Sequence, residues 1–249
     1  MKGRKRKIVG ILGGMGPEAT AYFYELIIGL TAAARDQEHV PVIIRADPRV
    51  PHRTKAILEG GPSPLPSLIE GARALRAAGA DFAVMPCVTA HYFLPELGAR
   101  VKIPFVSLLE ESRRFLQRRH PRVRRIGLIA TTGTVRSGIV GDAFARAGIE
   151  VLSPTDEDQS RIMEAIYGPR GIKAGFRAGA PRRAVLSAAR RLVRNGAQAI
   201  MAGCTEIPLV LGPEDLDVPF IEPMRIGAEV CILMAGGRLK AFRGRRRRP

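Results

Sequence analysis

Three cysteines, Cys87, Cys204 and Cys231, are side chains of this 249-residue sequence that can transfer protons near neutrality. An unperturbed thiol titrates at about 8.5, so both of its forms are accessible there. An odd number of widely spaced cysteines argues against a disulfide framework. Cys231 lies in the helix-like run Ala228-Glu-Val-Cys-Ile-Leu-Met234 and reads as packing. Cys87 and Cys204 differ from it because each follows an apolar run directly, in Met85-Pro-Cys87 and Met201-Ala-Gly-Cys204. Two thiols on opposite walls of a cleft suit one kind of reaction. A thiolate takes a proton from one face of a carbon, such as an amino-acid Cα, and a thiol returns one to the other face. His91, four residues past Cys87, has a spacing that could ligate zinc, but a closed site needs further ligands and no metal is expected. A hydrogen bond within the turn or beside the thiol is the expected role of His91. Glu206, two residues past Cys204, is expected either to cap local structure or to tune that thiol.

The elements that must carry these groups alternate between strand and helix. Lys7 to Leu12 reads as a strand ending at a Gly-rich turn, and Glu18 to Ala34 as a helix with Pro17 at its first turn. Residues 41–46 read as a second strand, 65–78 as a helix stopped by Gly79, and 81–85 as a third strand leading to Cys87. Apolar strands separated by helices imply parallel sheets covered on both faces.

The pattern occurs twice. Gly10 answers Gly127, Gly79-Ala80 answers Gly196-Ala197, and Cys87 answers Cys204, all 117 positions apart. Later, Ile103-Pro-Phe-Val106 answers Val218-Pro-Phe-Ile221 at a spacing of 115. A constant offset across strand, helix end and cysteine indicates a duplicated α/β unit. In parallel α/β sheets functional groups lie beyond the carboxyl ends of the strands. Two units facing each other would therefore bring the cysteines together across their interface. A strand-to-helix turn also supplies backbone N–H groups that favour a thiolate.

The net charge of +17 attracts anionic partners non-specifically. Much of it sits in the tails: Lys2, Arg4, Lys5, Arg6 and Lys7, then Arg243 and Arg245 to Arg248. The arginines of residues 180–194 are expected to form a solvated helix face. Nucleic-acid contact is therefore expected only non-specifically, through the tails. No apolar run reaches the ~18 residues of a membrane span, and no export signal is evident, so a cytoplasmic protein without membrane contact is expected.

Gly10-Ile-Leu-Gly-Gly-Met-Gly-Pro-Glu-Ala-Thr20, Pro86-Cys-Val-Thr-Ala-His91, Ala130-Thr-Thr-Gly-Thr134 and Gly203-Cys-Thr-Glu206 together resemble the aspartate racemases of the aspartate/glutamate racemase family. The resemblance covers nearly the whole chain except the basic tails. It implies a two-base racemase of aspartate, glutamate or a related amino acid that needs no cofactor, pyridoxal phosphate included. Cys87 and Cys204 would be its acid/base pair. It implies two pseudo-symmetric Rossmann-like or flavodoxin-like α/β domains, each with a mostly parallel sheet flanked by helices, the active site in the cleft between them, and commonly a homodimer. Residues 1–106 with 210–249 are expected to form the first domain and 107–209 the second. The resemblance further suggests Arg53 and Lys173 as anchors for a side-chain carboxylate. Such a substrate needs a cation beyond its α-carboxylate, and an arginine can grip it with two parallel bonds. Thr89, Thr205, the backbone at Met15-Gly16 and the Thr132-Gly133-Thr134 turn would hold the α-carboxylate and ammonium.

Three positions depart from the family pattern. Val88 stands where the first cysteine motif usually carries asparagine, and Asp47 and His52 replace residues of a segment often reading Asn-Pro-x-x-Pro-Asp-Arg-Thr. Valine forms no side-chain hydrogen bond, whereas the Asp47 carboxylate could either repel an acidic substrate or bind its ammonium group. Two rival readings accompany these departures. One is a weakened family member that binds a ligand or nucleic acid. The other is a dinucleotide-binding oxidoreductase, suggested by Gly14-Met-Gly-Pro-Glu-Ala19 after a strand with Asp47 ending the next one. Glu18 in the first helical turn opposes the latter, because a pyrophosphate needs positive potential there.

Overall fold

The apolar runs form buried parallel strands in the computed structural model, which describes residues 6–241. Lys2, Arg4, Lys5, Arg243 and the arginines of 245–248 lie outside the described residues, and with them most of the expected basic tails. The first half of the chain runs β1 (Val9–Gly13), α1 (Pro17–Leu30), β2 (Val42–Ala46), α2 (Arg53–Leu58), α3 (Leu65–Ala77), β3 (Phe82–Val84), α4 (Leu94–Arg100) and β4 (Phe105–Val106). After α5 (Leu108–Arg119) come β5 (Arg125–Ile129), α6 (Thr132–Arg136), α7 (Ile139–Ala145), β6 (Glu150–Leu152), α8 (Asp156–Tyr167), α9 (Ala180–Arg194), β7 (Ala199–Ala202), β8 (Phe220–Ile221) and α10 (Pro223–Met234).

The strands make two four-stranded parallel sheets with orders β2-β1-β3-β4 and β6-β5-β7-β8. The second order is the first with each strand replaced by its duplicate. Each sheet is covered on both faces because alternate side chains point to opposite sides. In the first sheet Val9, Ile11, Phe82 and Val84 pack on α1 and α10, while Leu12, Ala83 and Met85 pack towards α3 and α4. In the second, Ile129, Ile200 and Ala202 meet α8 and α9, while Ile126, Leu128 and Met201 meet α5 and α7. Each fully buried Ile, Leu or Phe here contributes about 1.5–3 kcal/mol of burial free energy.

The duplicated glycines show why the repeat retains them. A Cβ on Gly10 would lie 3.0 Å from the Ala80 methyl, and one on Gly127 would lie 3.2 Å from that of Ala197. In both halves the strand runs so close to the turn after the facing helix that only hydrogen fits. That turn is made by Gly79 in one half and Gly196 in the other, each at φ +96°.

Three expectations shift. The first helix ends at Leu30 instead of running to Ala34, because Ala32 N–H donates to Arg238 O (2.7 Å) and Thr31 bridges Leu239. Pairing with a distant segment thus outcompetes the helical propensity of the alanines. The second sheet extends past residue 209, since β8 hydrogen-bonds β7, whereas α10 returns to pack on α1 and α5. The arginine face of α9 is not wholly solvated either: Arg182 pairs with Asp215 and Arg191 with Asp158. Among the described residues no helix is long and apolar enough to cross a membrane.

Candidate active site

Cys87 and Cys204 line one cavity. Each is reached by the same route, a turn just past the third strand of its half. Cys87 N–H donates to Met85 O (2.7 Å), and in the second half Gly203 N–H donates to Met201 O (3.0 Å) as well as to Ile129 O of β5 (2.8 Å), so each chain turns tightly at the end of its strand. Both thiols are free and buried. The cavity measures about 10 Å³, room for about one water.

The expected site residues divide into those that reach the cavity and those that do not. Met15, Arg53, Val88 and Thr89 line it from the first half, and Lys173, Thr205 and Glu206 from the second. Gly16 sits at its edge: a Cβ there would be 3.1 Å from Lys173 Nζ and 3.2 Å from Glu206 Oε1. Asp47, Thr132, Thr134 and His91 do not line it.

Asp47 is held elsewhere. Its carboxylate accepts from the Arg49 backbone N–H (3.0 Å) and guanidinium (2.9 Å), which hold its pKa down at about 2. Gly14, at φ +97°, packs directly on the Asp47 backbone; a Cβ there would approach Asp47 O to 2.3 Å. That contact, not a ribose, is what the strand end beside the Gly-rich loop receives. Glu18 pairs with Arg177, and the space over Gly16 is taken by Lys173 and Glu206, so the loop has no room for a pyrophosphate.

His91 is a structural clamp. Its Nδ1 bonds Cys87 O (2.8 Å), and its Nε2 accepts the Leu108 N–H (3.0 Å) at the start of α5. Burial pushes its pKa down to about 4, so the ring is neutral at pH 7 and can donate at one nitrogen while accepting at the other. No cluster able to hold a metal occurs among the described residues.

The second thiol has a different neighbourhood. Cys204 Sγ donates to Glu206 Oε2 (3.0 Å), Thr205 Oγ1 donates to the same oxygen (3.2 Å), and Lys173 Nζ pairs with Glu206 Oε1. Glu206 is buried, so this polar cluster is bonded internally, as desolvation requires. Burial and the Glu206 carboxylate push the Cys204 thiol well above the usual range, with Lys173 opposing. Burial lowers the Lys173 pKa, but the Glu206 carboxylate and the two cysteine sulfurs together outweigh it and the net shift is upward.

Thr89 joins the two halves. Its hydroxyl bonds Thr131 Oγ1 (2.9 Å) and Thr134 Oγ1 (2.8 Å), and those two are 3.2 Å apart. Thr132 lies outside this triad, with its N–H on Met163 Sδ (3.2 Å) and its hydroxyl accepting from Gln159 (3.2 Å). Arg53 is oriented by the carbonyls of Val50 and Pro51 (both 3.1 Å) and Met15 (3.3 Å), while its buried Nε has no partner. A half-buried guanidinium with a spare donor, lining the same cavity as the Lys173 ammonium, can receive a carboxylate.

Two cavity residues escaped the sequence reading. Thr131 lies two residues past the end of β5, so the strand-end rule that located the cysteines would have found it. Tyr167 ends α8, six residues before Lys173, and no pattern marks it. Its ring lies 5.6 Å from Lys173 Nζ and 5.0 Å from the His52 ring. Tyr167 also borders an open groove of about 690 Å³ on its other side, together with His52, Thr132 and Arg136. Burial and the nearby Cys204 thiol keep its phenol protonated.

Comparison with known proteins agrees with this fold. Residues 12–231 match the Asp/Glu/hydantoin racemase family. The chain is 31% identical to the aspartate racemase of Picrophilus torridus, with a TM-score of 0.81 over 94% of this chain and 96% of that one. It is 24% identical over 221 residues to the broad specificity amino-acid racemase RacX of Bacillus subtilis (strain 168), covering 86% of this chain and 92% of RacX. A stretch of 97 residues is 40% identical to an uncharacterised protein in the pnlA 3′ region of Pectobacterium carotovorum subsp. carotovorum. That match spans 39% of this chain and 61% of the relative's length.

Proposed function

The chain belongs to the Asp/Glu/hydantoin racemase family, and we propose that it is a cofactor-independent racemase that inverts Cα of aspartate or a related amino acid between Cys87 and Cys204. The observation that carries this reading is that the two thiols, at equivalent strand ends of two duplicated sheets, line one cavity. Neither thiol needs a metal or carbonyl cofactor to exchange a proton with a Cα–H. The carbanion must instead be stabilised by cations and N–H groups around its carboxylate. In this reading Met15, Thr89 and Thr205 would hold the α-carboxylate and ammonium, and Arg53 and Lys173 a distal carboxylate, all five lining the cavity.

A dicarboxylic substrate is favoured by those two cations and by the likeness to the Picrophilus enzyme. Val88 favours a wider range, because an apolar side chain beside the first thiol imposes no hydrogen-bond requirement on the substrate. The name of the Bacillus relative points the same way. An amino acid is several times larger than the cavity, so the walls must part for entry. Tyr167, between the cavity and the outer groove, is the side chain that moves in this reading. The homodimer and the interdomain placement of the site belong to the same proposal.

The test is proton exchange in deuterium oxide across aspartate, glutamate and neutral amino acids, followed by Cα–H loss and by chiral chromatography. Exchange and inversion with at least one substrate are expected. Intact Cα protons across the whole panel after long incubation would end the racemase reading. Sedimentation velocity reports the oligomer independently.

A further inference from the structure

We infer that Glu206 is a positioning residue that decides which thiol carries the proton: in the resting protein Cys204 holds it and Cys87 is the group free to act as base. This deepens the two-thiol reading and rests on it. At the duplicate spacing of 117, Cys87-Val88-Thr89 corresponds to Cys204-Thr205-Glu206. The position two residues past the thiol is therefore a neutral hydroxyl in one half and a carboxylate in the other. Thr89 spends its hydroxyl on Thr131 and Thr134. Glu206 turns Oε1 to Lys173 and Oε2 to Cys204 Sγ at 3.0 Å.

The Glu206 carboxylate is salt-bridged to Lys173 through Oε1 and receives Cys204 Sγ and Thr205 Oγ1 at Oε2, and a salt-bridged carboxylate acts as an acceptor. The Cys204–Glu206 contact is thus favourable with the thiol protonated. With the sulfur ionised it would set two anions side by side in a buried site. No comparable carboxylate occupies the matching position beside Cys87.

The reaction then has a defined starting state. The Cys87 thiolate takes the Cα proton of one enantiomer, and the C–H electron pair remains on the substrate as a carbanion. The Cys204 S–H proton then forms the new C–H bond on the opposite face. Cys87 ends as a thiol and Cys204 as a thiolate beside Glu206. Loss of the Cys87 proton to water and uptake of one from water by Cys204 restore the resting pattern. One enantiomer meets the resting protein ready to react, and the other requires the proton-shifted form.

Alkylation of the full chain by iodoacetamide, resolved by peptide mass spectrometry across roughly pH 6 to 10, reads the two thiols separately because only the thiolate reacts. In the unaltered chain the half-maximal pH for Cys87 should lie below that for Cys204, with buried Cys231 slowest. Glu206→Gln should lower the Cys204 midpoint by about one pH unit, a roughly tenfold faster reaction below it, and leave Cys87 in place. Glu206→Asp should restore the late Cys204 profile. Equal midpoints in the unaltered chain, or an unmoved Cys204 midpoint in Glu206→Gln, would overturn the inference. If Glu206→Gln does not fold by circular dichroism, the ordering in the unaltered chain and in Glu206→Asp decides. No substrate enters this measurement, so it fails or succeeds separately from the Cα-exchange test.

Discussion

The turn after β3 and the turn after β7 descend from one template and solve the same steric problem with different chemistry. Both carry a cysteine at the strand end, and both are followed by a short strand and a helix, α5 in one half and α10 in the other. In the first half the N–H of Leu108, at the start of α5, needs an acceptor, and His91 supplies it. At the matching places the second half has Pro208 and Pro223. Pro223 begins α10 and has no N–H to satisfy. The first half uses a neutral imidazole to fix its thiol-bearing turn; the second removes the donor and places its charged groups, Glu206 and Lys173, against the thiol instead. Duplication thus preserved where the sulfur atoms sit, while divergence changed what surrounds them. The comparison teaches that geometric symmetry can coexist with electrostatic asymmetry. A two-base reaction needs both, because its two walls must start in opposite protonation states.

The sharpest way to break this comparison is to remove one sulfur at a time. Cys87→Ala and Cys204→Ala should each lower racemisation by roughly 10³-fold or more, since each wall loses its acid/base group. Full activity in either variant, measured by chiral chromatography, would mean that the halves do not act as a pair. Lys173→Met comes next. It leaves the buried Glu206 carboxylate without its cation and should cost about 3 kcal/mol in urea unfolding, with no comparable loss for substitution of exposed Arg49.

Protonation should separate the halves as well. His91 has its folded pKa depressed to about 4 against about 6.5 unfolded, so the unfolded chain binds the proton first as pH falls. The His91 contribution is therefore complete above about pH 6.5 and is lost between there and about pH 4, a loss of roughly 3 kcal/mol. His91→Gln should flatten that limb of a stability–pH profile; an unchanged slope would show that another group sets it. The smallest effect is expected at the seam. Thr89→Val removes both hydroxyl contacts by which this triad joins the halves and should cost about 1 kcal/mol by thermal or urea unfolding.

Much of this was legible in the chain itself. The offset of 117 between Gly10 and Gly127, and between Cys87 and Cys204, implied a repeated sheet, and the two strand orders are indeed the same. Strand positions were readable because a strand buried on both faces needs an unbroken apolar run. The unit boundary at 209 was not readable, because β8 is a two-residue strand with too little pattern to assign to a sheet. The early end of α1 was hidden for a related reason: alanines favour a helix locally, and only the distant Arg238–Leu239 backbone draws Ala32 away from it. Asp47 looked available for a ligand because its guanidinium partner, two residues away, has no helical or strand periodicity to announce it. Tyr167 left no signal at all.

Local information was sufficient for what depends on residue type and regular spacing: the parallel α/β class, the duplication, and the placement of a thiol at each of two strand ends. Only the folded chain decides what depends on approach between distant segments. It brings Cys87 and Cys204 to one cavity, sets Lys173 on Glu206, spends Asp47 on Arg49, and puts Tyr167 in the wall of that cavity. The physical reason is range. Propensity and hydrophobic periodicity act over a few residues along the chain. Proton affinity and carboxylate recognition are set within a few ångströms in space, by groups that the sequence keeps far apart.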